Sequence, residues 1–288
     1  MFARLFSPPT LARLPPRLGN VFSRFNTTAT ATRWSALNSQ VAKPPSRWYQ
    51  SYGRRPMSFL DQRPEAPLYA ILAINTGVFG LWIYAKEDYH QFRNPSWLRW
   101  MNAHFLLNKE NALARPWTLV TANFSHAELP HFLINMFVLH SFGSTLCTTL
   151  GARRFMALYA LSVLGTSAAS LAYVEYRAWN MRRQHWPGQN SWFGDQLVRA
   201  SMPRGSLGAS GCVMATSVVF ASLYPTSTIY LMLVLPVPAW LCVSGFIGYD
   251  MYRAWQMKGG ITDVAGHLGG GAAGLTYWWI GLRRARGL

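Results

Sequence analysis

Charge is almost missing from long stretches of this chain. Six apolar runs of about fifteen to twenty-five residues, near 67–85, 130–149, 155–175, 209–224, 227–250 and 264–282, take up more than half of the chain after residue 66. A helix crossing the roughly 30 Å hydrocarbon core needs about 20 predominantly apolar residues, so runs of this kind predict membrane spans. Several are followed by Arg or by Trp and Tyr clusters, the residues that settle at membrane–water interfaces. A soluble core has no need of so many. The predicted fold is an all-α membrane protein of six transmembrane helices. Scarcely any charge is visible along those spans, which speaks against the lined path of a transporter or channel.

Net charge is +17, which would suggest a nucleic-acid partner if it were evenly spread. It is not. Residues 1–60 hold nine of the twenty-seven basic residues and no acid, and the remainder is ordinary for loops flanking spans, so no nucleic-acid partner is expected. The leader is rich in Arg, Ser, Thr and Ala and lacks the continuous apolar centre of a secretory signal. That composition predicts an organellar transit peptide over residues 1–50, removed after import, the plainer alternative being a disordered basic tail. The arginine-aromatic sequence Arg47-Trp48-Tyr49 marks a cut that leaves Gln50 near the mature start. Residues 51–66 form a pre-core segment before the membrane domain of 67–288. Cys147, Cys212 and Cys242 all lie in apolar runs, without the spacing of a zinc site or a disulfide framework.

Between the first two spans, Trp97 to Leu107 mixes aromatic and apolar residues with Arg99 and His104, a pattern suited to a segment lying in the interface or to a packed loop helix. His131 and Asn135 follow at a spacing of four, on one helix face, as an interhelical hydrogen-bonding pair or as part of a site. His126 with His131 lacks a third metal ligand at firm spacing, so no metal is expected. Residues 176–207 read as a polar, basic, Trp-rich loop against lipid headgroups. The Pro pair in Leu235-Pro-Val-Pro-Ala239 predicts a kink or mobile stretch in the fifth span.

The fourth span opens at Gly205-Ser-Leu-Gly-Ala-Ser-Gly-Cys-Val-Met214 and is short, about 22 Å over Ser210 to Tyr224 at about 1.5 Å per residue. Its start must then lie below the membrane surface, which is tolerated only in protein or beside a wet cavity. The sixth span carries His267 with Gly270 and Gly274, a spacing that lets another backbone approach closely. Counted back and forth across the bilayer, spans two, four and six start from one face, bringing His131, Ser210 and His267 to similar depth. Serine needs a base within hydrogen-bond reach to act as a nucleophile. His267 is the candidate base for Ser210. The Ser210 N–H, His131 and Asn135 are candidate donors to an oxyanion. No acidic third member has an evident place, so the chemistry reads as a dyad. The plainer alternative is that Ser210 and the glycines only pack helices.

Gly208-Ala-Ser-Gly211, a histidine on the last span followed by Gly-x-x-x-Gly, and His126…His131…Asn135 together resemble the rhomboid intramembrane serine proteases, from about Leu68 to Leu282. Phe124-Ser-His126, Asn135-Met-Phe and Asp263 before His267 resemble the mitochondrial branch. The resemblance implies Ser210 as nucleophile, His267 as general base and acid, His131 and Asn135 at the oxyanion, and Gly208, Gly211, Gly270 and Gly274 as structural support. It implies cleavage of single-pass transmembrane proteins in or near their helix, in contact with membrane lipid, without cofactor or metal. The implied location is the mitochondrial inner membrane. The rival reading is an inactive relative that binds membrane clients. Three departures stand out. Thr118 occupies the place of a loop arginine of bacterial members. Met214 replaces their tyrosine against the histidine, so His267 must be oriented from elsewhere. The additional span usual in mitochondrial members does not appear between residues 1 and 66.

Overall fold

The computed structural model describes residues 59–185, 205–231, 234–256 and 264–283. The transit segment, residues 51–58 of the pre-core segment, residues 186–204 of the Trp-rich loop, and Asp263 lie outside the described residues. A short α1 (Phe59–Gln62) precedes α2 (Ala66–Phe92), which starts with Pro67 in its first turn, where a missing N–H costs nothing. Then come α3 (Ser96–Phe105), α4 (Lys109–Ala114), α5 (Thr118–Thr121) with a 3₁₀ turn at Ala122–Phe124, α6 (Leu129–Leu150) and α7 (Ala152–His185). After α8 (Ser210–Leu223), strands β1 (Thr228–Leu231) and β2 (Leu235–Pro238) form a hairpin leading into α9 (Ala239–Trp255). The last helix, α10 (Val264–Thr276), continues as π-type turns over Tyr277–Arg283.

The molecule is mostly helical. Ala66–Phe92, Leu129–Leu150 and Ala152–Arg183 are long and apolar enough to cross a membrane, which makes this a multi-pass membrane protein. Ile74, Ile134, Leu164 and Ile280 are about half exposed or more on outward faces. In water such a surface would be an aggregation hazard; against acyl chains it costs nothing. Inside, one apolar cluster runs from Leu68 through Leu139, Leu146, Phe155 and Leu158 to Val219.

Three boundaries differ from the sequence expectation. The first span was expected over 67–85, yet α2 continues to Phe92 and ends at Arg93 in the left-handed region, φ 54°. The end of an apolar run marks a change of solvent, not of backbone, and charged residues propagate a helix well. For the same reason α7 runs on through residues expected as polar loop, to His185. Its 34 residues span about 51 Å at about 1.5 Å each, well beyond the bilayer core, and Lys109 pairs with Glu175 on the protruding part at 3.0 Å. The third correction concerns the fifth span. Residues 228–238 are an antiparallel hairpin, with Thr228 opposite Pro238 and Leu231 opposite Leu235, and the helix begins only at Ala239. Prolines two apart cannot share a helix interior, and each forces its predecessor into extended backbone. The Ala239 N–H donates to the Ser227 carbonyl at 2.8 Å, which sets a phase in which Pro236 and Pro238 need give no ladder hydrogen bond.

Candidate active site

Ser210 is the first residue of α8 and is half-buried. The first hydrogen bond of this helix runs from the Val213 N–H to the Ala209 carbonyl, so the N–H groups of Ser210, Gly211 and Cys212 have no partner within it. Free N–H groups and the positive end of the helix dipole meet at the serine. The segment before it is held by three ties to the α2–α6 connection. Leu107 and Ser206 exchange backbone hydrogen bonds of 2.8 and 2.7 Å, the Gly208 N–H donates to the Ala122 carbonyl at 2.9 Å, and the Ala209 N–H donates to His126 Nε2 at 3.4 Å. Gly208 has φ 134°, and a Cβ there would stand 3.0 Å from His131 Cε1 and 3.6 Å from Ser210 Oγ. The imidazole and the hydroxyl therefore converge on space that only glycine leaves open.

The connection is itself anchored from α2. Trp82 Nε1 donates to Ser125 Oγ at 2.5 Å, and the Lys86 ammonium donates to the Ala127 carbonyl. His126, between them, is fully buried. Burial, and secondarily the charge of His131, pulls its pKa down to about 3, so it is neutral and can accept from Ala209. Its ring lies 5.2 Å from that of His131. Trp117 stacks on His104 and donates to its Nδ1 at 3.2 Å, whereas Thr118 is wholly buried and bonds to the Arg115 carbonyl.

Backbone contact brings the last helix to this point. A Cβ on Gly270 would overlap the Gly211 carbonyl, and one on Gly274 would come within 2.6 Å of the Ala215 carbonyl oxygen. On a neighbouring face of α10, a Cβ on Gly269 would overlap α7 at Ala169 and the Gly165 carbonyl. Gly270 and Gly274 on one face and Gly269 on the next thus let α10 press against α8 and α7 together. Gly211 in turn abuts Thr166 and the Gly266 carbonyl, one residue from His267. The His267 imidazole is near enough to His131 for the two to act on each other electrostatically.

His267 Nε2 is buried and has no hydrogen-bond partner among the described residues. Its Nδ1 lies 2.8 Å from Asp250 Oδ2 on α9, with both side chains nearly buried. The sequence reading missed this carboxylate. The signal was present, because Asp250 stands alone inside an apolar run, and an ionisable residue there marks a functional position by default. Met214, in the tyrosine's place, packs toward Gly271 instead. Asn135 is buried on the His131 face, and its amide donates to the His131 carbonyl at 2.8 Å, leaving a second amide proton for another acceptor. Cys147 and Cys212 are fully buried and Cys242 partly so, all as free thiols.

The Rhomboid domain model matches residues 113–284, more than half of the chain, with Ser210, His267, Asp250, His131 and Asn135 all inside the match. The protein belongs to the rhomboid family. Most members are intramembrane serine proteases acting on membrane proteins. The chain is 31% identical to Rhomboid protein 1, mitochondrial, of Saccharomyces cerevisiae, over 78% of its own length and 56% of that protein's. It is 30% identical to RHOMBOID-like protein 12, mitochondrial, of Arabidopsis thaliana, over 72% and 56%. With Presenilin-associated rhomboid-like protein, mitochondrial, of Homo sapiens, it shares 31% over 72% and 46%. The rhomboid chain thus spans about half the length of these relatives, which are mitochondrial. No solved structure matches it.

Proposed function

We propose that this rhomboid is an intramembrane serine endopeptidase that cleaves single-pass transmembrane proteins in or near their membrane helix. The observation that carries the reading is the close backbone approach of α8 and α10 at Gly211 and Gly266, next in sequence to Ser210 and His267 respectively. Ser210 Oγ attacks the scissile carbonyl carbon as His267 Nε2 takes its proton. The oxyanion forms against the Ser210 and Gly211 N–H groups, with His131 and Asn135 as further donors. The C–N bond then breaks as His267 returns the proton to the leaving amine, and water hydrolyses the acyl-enzyme by the same relay. This chemistry calls for no metal and no cofactor.

The proposed setting is the mitochondrial inner membrane. It is supported by the acid-free leader and by the mitochondrial relatives, with residues 1–50 removed after import and six transmembrane helices within 67–288. The three shorter helices complete the six. Alternatively, the chain is an inactive relative that binds membrane clients, a reading favoured by the missing hydrogen bond between Ser210 and His267. Nucleophile–base contacts often close only around substrate. Fluorophosphonate labelling of the detergent-solubilised full chain separates the two. Labelling lost in both Ser210→Ala and His267→Ala supports the protease; no labelling of the folded wild type supports the client binder.

A further inference from the structure

We infer that Asp250 is the positioning residue of the site. It fixes the tautomer and ring orientation of His267 from α9, so that the expected dyad works as a three-membered relay. The inference rests on the serine–histidine reading above.

The geometry is specific. A carboxylate accepts and does not donate, so a 2.8 Å contact between Asp250 Oδ2 and His267 Nδ1 puts the imidazole proton on Nδ1. The lone pair is then on Nε2, the nitrogen that is buried without a partner. That is the tautomer a base facing Ser210 requires, and the opposite one would present an N–H to the serine. Burial of both side chains keeps water from competing for Nδ1. During attack the imidazole becomes positively charged, and Asp250 is placed to stabilise that charge. Among the described residues, His131 of α6 also acts electrostatically with His267 from a packed element, and is itself influenced by Glu128. The alternative of a ring at position 214 falls away, since Met214 offers none and packs against Gly271. The carboxylate also comes from a helix that holds few other buried residues, Ala239 and Val243, which makes the contact a reason for α9 to stay docked.

The test is the rate of fluorophosphonate labelling from pH 5 to 9 for the full chain and for Asp250→Asn and Asp250→Glu, with thermal unfolding measured alongside. Asp250→Asn is expected to slow labelling by about 10²- to 10⁴-fold at pH 7 and to move the pH midpoint. Asp250→Glu is expected to recover a substantial part of the rate. Labelling of a folded Asp250→Asn within threefold of wild type, with an unchanged midpoint, overturns the inference. Should Asp250→Asn not fold, ¹⁵N NMR of the histidine-labelled unmutated protein decides: a protonated Nδ1 on His267 supports the assignment, and a protonated Nε2 overturns it. A wild type that does not label defeats the protease reading, while the tautomer still judges Asp250.

Discussion

The two helices that share the Asp250–His267 contact are built in opposite ways. In α10, seven of thirteen residues are buried, four of them glycines, and the helix lies backbone to backbone against α8 and α7. In α9 only Ala239, Val243 and Asp250 are buried of seventeen, and Cβ atoms added to Gly245 or Gly248 would meet nothing within 4 Å. Small residues drive helix association in lipid because apolar burial gives no net advantage there. The proposed base therefore sits on a member locked by close packing, and the carboxylate proposed to orient it on one held at few points. On that proposal a rigid half would carry the chemistry and a loosely held half would complete it.

The largest effect is expected from Gly270→Val. Its side chain has no space against the Gly211 carbonyl, so α8 and α10 must separate, costing about 1–3 kcal/mol or more and abolishing labelling. Unchanged labelling and thermal midpoint would break the comparison at its strong end. Gly208→Ala comes next. It meets both a φ of 134° and His131 at 3.0 Å, and should reduce labelling more than stability by shifting the serine away from the imidazole. Equal losses in both would mean that the loop only supports the fold.

Acid should loosen the approach to α8, against which the rigid member packs, through His126. Its pKa is about 3 when folded and about 6.5 when unfolded, so the unfolded chain binds more protons between those values. Stability is then complete above pH 6.5 and falls on acidification, by at most about 1.4 kcal/mol per pH unit down to about 3. His126→Gln should flatten that part of the profile in chemical denaturation; a slope equal to wild type would remove His126 as its source.

The smallest effects belong to α9. Gly245→Ala should leave stability unchanged or raise it by up to about 1 kcal/mol, since the position is open and alanine favours helix. A loss comparable to Gly270→Val would contradict the loose packing of this helix. Tyr173→Phe removes the hydroxyl that reaches the Ala254 carbonyl at 3.4 Å. Global stability should change by no more than about 1 kcal/mol, while amide exchange near the end of α9 should quicken.

Local sequence sufficed wherever a residue's requirement is local. Apolar runs without charge must lie in lipid or protein, so α2, α6 and α7 were readable, although their ends were not: Lys86 to Phe92 continue a helix into water as readily as in the membrane. Glycine tolerates both positive φ and close approach, which made Gly208 and Gly270 informative before any contact was known. The hairpin at 228–238 was half visible, since Pro236 and Pro238 announced that the helix would fail but not what would replace it.

What only the tertiary structure decided is the partner of those buried polar atoms that are satisfied at long range. Asp250 is seventeen residues from His267, with a segment outside the described residues between them, and no periodicity links the two. The same holds for His126, whose ring nitrogen receives a backbone N–H from eighty-three residues away. A polar group's need to be satisfied is written in its own chemistry, whereas the group that satisfies it is chosen by which helices the packing brings together.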